Sequence, residues 1–254
     1  MSSSPRAGDA LSAVRQIMSE LISHVARTDS VYRANYKIGV RTFPIPFFGD
    51  IETAEVLTIG LNPSATEFES RGWPPVLDAT ELTDRLLRYF DSGEHPWFAA
   101  WEMALVEIGA SYRRNAAHLD ISPRATISAG AVPDPILFEQ MLTDDLPWMM
   151  RFMNAAPRAR LVLLAGTATN RHYLNEFLAK RLNADDGILE GSLRRPEGKG
   201  KVLRHVLRSN GRYLPVYFCS TSPSDRRQPG LLLERVRRDA ATLRHHLLSA
   251  DSAS

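Results

Sequence analysis

The stretch Glu55-Val-Leu-Thr-Ile-Gly-Leu-Asn-Pro-Ser64 constrains the fold more than any other part of the chain. Val56, Leu57, Ile59 and Leu61 make a short apolar run with β-branched members, the pattern of a strand buried on both faces of a parallel sheet. The run passes through Gly60, which admits close backbone approach, and delivers Asn62, Pro63 and Ser64. Pro63 lacks an N–H but is tolerated where a helix begins, and Ser64 with Glu67 has capping-box spacing. A helix is therefore expected to start there, with its free N–H groups facing whatever lies above the strand end. In open α/β sheets, ligands bind beyond the carboxyl ends of strands, which is where Asn62 falls. On local grounds alone Asn62 could equally satisfy backbone groups in an ordinary strand-to-helix turn.

Elsewhere helical and strand patterns alternate. Leu11, Val14, Ile17, Met18, Leu21 and Val25 have helical spacing over about 9–27. Residues 42–50, broken by Pro44 and Pro46, read as a loop draped over a sheet edge. Helices are expected near 80–91, 96–109, 134–156, 167–181 and 231–248. Strands are expected at 55–61, 116–122, 160–166, 201–208 and 213–219, the last two flanking the hairpin signal Asn210-Gly211. No repeat or linker interrupts this order, so the expectation is one α/β domain over residues 1–254, with disordered tails at about 1–8 and 250–254. Four expected strands end in small or hydrogen-bonding residues: Asn62, Asp120 with Ser122, Gly166-Thr167, and Ser220-Thr-Ser-Pro-Ser224. Parallel strands would gather these ends into one polar crevice.

Composition narrows the chemistry. With 44% hydrophobic and 24% charged residues, the chain is expected to be a soluble globular protein. A net charge of +2 means that any nucleic-acid contact must come from a local patch. The single cysteine, Cys219, excludes an internal disulfide, a cysteine-rich metal site and an iron–sulfur cluster, and reads as a buried residue in a reducing compartment. His95, His118 and His172 lack metal-ligand spacing, so no catalytic zinc is expected. No run is long enough to span a membrane, and Met1-Ser-Ser-Ser-Pro lacks the apolar core of a secretory signal. Neither a dinucleotide-binding Gly-x-Gly-x-x-Gly turn nor a Gly-Lys-Ser/Thr phosphate loop is present, and no Gly-x-Ser-x-Gly elbow supports an esterase.

Three motifs in order carry a resemblance. Gly60-Leu-Asn-Pro-Ser64 resembles the first motif of the uracil-DNA glycosylase superfamily, in the Gly-x-Asn-Pro form of its mismatch-specific and single-strand-selective branches. Leu161-Val-Leu-Leu-Ala-Gly-Thr-Ala168 is similar to the family's apolar strand ending in Gly. Ser220-Thr-Ser-Pro-Ser224 falls where the family has a His/Asn-Pro-Ser motif followed by a loop that enters the duplex. The likeness spans residues 45–225.

The resemblance implies a three-layer α/β/α fold with a central, mostly parallel sheet, and a cofactor-free enzyme. Such an enzyme flips a nucleotide out of DNA and hydrolyses its N-glycosidic bond through an oxocarbenium-like sugar. Asn62 would place the attacking water, and Ser220 would stand where many relatives carry a His against the leaving base. A hydroxyl stabilises that charge less than an aimed imidazole; loss of one such donor costs about 3 kcal/mol in other enzymes. The base would be held by Leu61, Ser64 and Asp120, with stacking from Trp73 or Phe68 and with Phe47 and Phe48 as alternatives. Ser64 leaves room where some branches block the thymine methyl with a tyrosine. Asp120 occupies the slot of an Asn that reads uracil; a shifted register would use Asn115. Protonated, Asp120 could donate to uracil O4 or match cytosine, and burial would favour that form. Thr167, Ser222 and Ser224 would meet phosphates, and Arg226 or Arg227 would enter the duplex or its groove.

The expected protein is thus a monomeric, monofunctional DNA glycosylase for uracil or a related deaminated base. It would act on single- or double-stranded DNA in a bacterial-type cytoplasm, at the nucleoid during repair, with no membrane partner. Two alternatives stay open: a glycosylase for a different base, or a protein that binds damaged or abasic DNA with little or no cleavage.

Overall fold

The computed structural model describes residues 7–36, 43–64, 73, 78–93, 95–126, 135–165, 187–194, 201–209, 212–219 and 230–249. It is an α/β structure whose chain divides into two compact units, each built from three stretches. The first holds Met1–Glu52, Gly60–Tyr89 and His118–Pro157; the second holds Thr53–Ile59, Phe90–Ala117 and Arg158–Ser254.

In the first unit, helix α1 (Ala7–Tyr36) buries Val14, Ile17, Met18, Leu21, Val25 and Tyr32 along one stripe. Each apolar side chain so removed from water contributes roughly 1.5–3 kcal/mol. The helix is longer than its aliphatic spacing suggested, because the stripe continues through Thr28 and Tyr32 rather than through Leu or Val. It lies against α2 (Ala79–Leu87) and α4 (Pro135–Asn154), to which it is tied by Arg15–Asp84 at 2.8 Å and Glu20–Arg151 at 2.7 Å. Asp78 caps α2 by accepting from Glu81 N at 2.8 Å. The stretch expected to be a loop draped over a sheet edge contains a two-residue strand, β1 (Phe47–Phe48), antiparallel to β3 (Ala116–Asp120). The flanking prolines fit an edge position, since neither has an N–H to leave unpaired, while Ile45 N between them bonds Pro123 O at 2.8 Å.

The second unit carries a mixed sheet of five strands in the order β2-β4-β7-β6-β5. Its strands are β2 (Val56–Gly60), β4 (Leu161–Ala165), β5 (Gly187–Arg194), β6 (Lys201–Ser209) and β7 (Arg212–Cys219). The first three in that order run parallel, with Val56 opposite Leu161 and Val162 opposite Val216. Their apolar residues Val56, Leu57, Ile59, Leu161 to Leu164, Leu214 and Val216 are buried. Ser209 pairs with Arg212, so β6 and β7 form the expected hairpin; Asn210 and Gly211 themselves lie outside the described residues. Strand β5 was not expected. Gly187 and Gly191 dilute its β-forming residues, and its pairing with β6 shifts register between Glu190 and Leu193. Helices α3 (Pro96–Glu107) and α5 (Leu231–Ser249) pack together, joined by Arg237–Glu107 at 2.7 Å. Helix α5 also meets β7, where Tyr217 Oη donates to Asp239 Oδ2 at 2.8 Å. No helix of the described residues is long and apolar enough to cross a membrane.

Candidate active site

The end of β2 and the end of β3 continue side by side within the first unit. Ile121 N bonds Gly60 O at 3.1 Å, Ser122 N bonds Leu61 O at 2.9 Å, and Thr126 N bonds Pro63 O at 3.1 Å. Ser64 and Thr126 form a parallel bridge. This ladder brings Asn62 and Asp120, expected at neighbouring strand ends, onto adjoining backbone. The helix start proposed for Ser64 and Glu67 lies outside the described residues beyond Ser64.

Asn62 is held by one end of its amide. Nδ2 donates to Thr126 Oγ1 at 2.8 Å and to the carbonyls of Pro63 and Arg124, each at 3.2 Å. Two of these three acceptors are backbone carbonyls that would repel an amide oxygen, so the NH2 group must lie on that side. Oδ1 is consequently turned the other way. It is buried, and no described residue donates to it. A buried acceptor without a donor costs about 1–3 kcal/mol, a penalty that folded proteins tolerate mainly where the atom has a use.

Asp120 is 3% exposed at the last position of β3, and its backbone N bonds Pro46 O at 3.0 Å. His118, also buried, places Nε2 3.4 Å from Asp120 Oδ1 and packs its ring on Phe48. Burial pushes the Asp120 carboxyl above its ordinary range, and the neighbouring imidazole works against that rise. Both side chains lie over Gly60: a Cβ there would stand 2.6 Å from Asp120 Oδ1 and 2.9 Å from His118 Nε2. Glycine at the end of this strand is what lets a carboxylate and an imidazole close over the backbone. The alternative reader, Asn115, precedes β3 and is occupied in a turn, donating to Glu55 Oε2 at 2.9 Å and accepting from Ser111 N at 3.1 Å.

Below the ladder lies a charged cluster that the sequence did not single out. Arg124, 2% exposed, bonds Asp145 Oδ2 through Nε at 3.0 Å and Thr28 Oγ1 through Nη2 at 2.6 Å. Ser122 Oγ donates to the same Asp145 oxygen at 2.7 Å and accepts from Arg124 N at 3.2 Å. The guanidinium carbon sits 4.6 Å from the centre of the Tyr32 ring, a cation–π distance. Tyr32 Oη donates to Asp144, and burial with that carboxylate raises the phenol well above its usual range.

Trp73 stands against Phe43, with ring centres 6.1 Å apart, and beneath the guanidinium of Arg85. Phe47 and Phe48 are core residues packed on Phe152 and Tyr89. Leu61 is half-buried beside Asn62. Phe68, Thr167, Ser220, Ser222, Ser224, Arg226 and Arg227 lie outside the described residues. Among the described residues, no group of three His, Cys, Asp or Glu side chains is arranged to hold a metal. Thr126, Arg124, His118 and Asp145 are the site residues that sequence reasoning missed. Compared with known proteins, the chain matches no protein-family model, and no curated protein matches it.

Proposed function

We propose that this protein is a monofunctional DNA glycosylase of the uracil-DNA glycosylase type. Its fold would be a three-layer α/β/α domain with a mostly parallel sheet, and it would act on uracil or a related deaminated base in a cytoplasmic setting. The observation that carries this reading is Asn62, whose amide is clamped by its nitrogen and whose oxygen is a buried acceptor with no described donor. Such an oxygen suits a water molecule that must be oriented rather than deprotonated, since an amide is a poor base.

In the proposed reaction the bond between C1′ and the base nitrogen breaks, and its electron pair leaves with the base. The water aligned by Asn62 Oδ1 adds to C1′, and its proton passes to solvent or to the departing base. Hydrolysis in this form uses water and side chains alone. Asp120 would read the base edge. Its burial beside His118 favours a second reading of the same class, in which the preferred base is not uracil, because an Asp–His pair offers a different edge from an Asn amide.

The test is a panel of oligonucleotides bearing uracil, hypoxanthine, a thymine mismatch or cytosine, incubated at several pH values and then treated with alkali. Strand breaks at uracil are expected, and Asn62→Ala should lower single-turnover cleavage about 100-fold, the cost of a misplaced reactant, with DNA affinity nearly unchanged. Breaks at another base would move the specificity to that base. Binding to abasic or damaged DNA without any break would replace the enzyme with a binding protein.

A further inference from the structure

The orientation of the Asn62 amide depends on where two carbonyls and one hydroxyl are held, and two of these three acceptors belong to the segment Ser122–Thr126. That segment is not regular secondary structure. Its backbone is fixed on one side by the bonds of Ser122 N to Leu61 O and of Thr126 N to Pro63 O. On the other side the Arg124 side chain bonds a carboxylate of α4 and a hydroxyl of α1. The Arg124 residue therefore faces two ways: its carbonyl accepts from Asn62, while its guanidinium is locked between Asp145, Thr28 and the face of Tyr32.

We propose that Arg124 and Thr126 are the positioning residues of Asn62, with Asp145 as the anchor that fixes Arg124. This rests on the reading above only for its catalytic consequence; the orientation of the amide stands on the geometry alone. Thr126 Oγ1 makes the shortest of the three bonds and so sets how tightly the amide is held, whereas the Arg124 carbonyl sets which way it faces. A buried Arg–Asp pair at this place contributes registry to a catalytic amide more than net stability, because desolvation offsets much of its attraction.

Two variants separate the contributions. Thr126→Val keeps shape and removes the acceptor, with Thr126→Ser as the restoring change. Arg124→Lys keeps the charge against Asp145, which protects the fold, but an ammonium cannot reproduce the fork that reaches Asp145 and Thr28 together. The first readout is hydrogen exchange of the Asn62 side-chain amide protons by nuclear magnetic resonance; the second is single-turnover cleavage of the base found in the oligonucleotide panel. Thr126→Val should speed Asn62 exchange about fivefold or more, as expected for one lost hydrogen bond, and Thr126→Ser should restore it. Arg124→Lys should shift the same amide resonance. Unchanged Asn62 exchange and resonance in both variants would overturn the assignment whatever the activity does. Faster exchange accompanied by slower cleavage at unchanged DNA affinity would support both the assignment and the catalytic reading. Faster exchange with unaltered cleavage would keep the positioning role and remove Asn62 from the chemistry.

Discussion

A methyl group on Gly60 would stand 2.6 Å from Asp120 Oδ1 and 2.9 Å from His118 Nε2, and neither neighbour lies on a surface where it can swing away. Gly60→Ala is therefore expected to destabilise the protein by about 1–3 kcal/mol, as overpacking does. A lower denaturant midpoint at unchanged slope would show it. Asp120 makes a pH-dependent prediction. Its folded carboxyl lies above the ordinary value of 3.8 because burial disfavours the charge. The folded chain therefore holds this proton after the unfolded chain has released it. Its contribution to stability is complete below the unfolded value and is lost as pH rises through the raised one. Asp120→Asn should remove that loss, so unfolding midpoints of the variant, followed from acid to neutral pH, should fall less steeply than those of the parent. Asn62 was legible in the sequence because a strand ending in glycine and an amide has a recognisable pattern. Its partners were not. Two of the three acceptors are backbone carbonyls, which carry no residue signature, and Arg124 looked like one more charge among many.

Most elements were legible where apolar residues recur at a clear period, as in β2, β4 and the aliphatic half of α1. Legibility failed where hydrogen bonding or pairing replaced aliphatic spacing. The second half of α1 carries Thr28 and Tyr32, which face Arg124 rather than a greasy core. β1 is too short and too proline-flanked to show alternation, and β5 is diluted by glycine. Consequences can be measured at the element scale. Arg124→Met would leave Asp145, fully buried on α4, without its guanidinium, and should cost about 3–5 kcal/mol in chemical denaturation. The link between β7 and α5 is milder. Tyr217 Oη donates to Asp239 and its own burial keeps the phenol protonated far above the usual range, so Tyr217→Phe should cost about 1 kcal/mol. Thermal melting should register that loss while leaving any base-excision rate as it was.

For the whole molecule, the expectation of α/β architecture holds, and β2, β4 and β7, three of the four strands whose ends were expected to gather, run parallel. The sequence could not convey how the chain is partitioned, because hydropathy reports burial and not which buried segments keep company. Each compact unit takes three separated stretches of chain, so neither corresponds to one continuous piece. A chain ended after Ser209 would lose β7 and α5 and leave β4 with its backbone edge unpaired, beside an apolar run. Such a truncation should scatter light as aggregate and show no cooperative melt. The pairing order also bears on how the protein is made. Val56 must find Leu161, and Val162 must find Val216. On the ribosome, the first strand of this sheet therefore emerges well before Leu161 to Leu164, the residues it pairs with, have been made. Its apolar residues stay open to chaperones for that interval, so the yield of active protein should respond to translation speed more sharply than its finished stability would suggest.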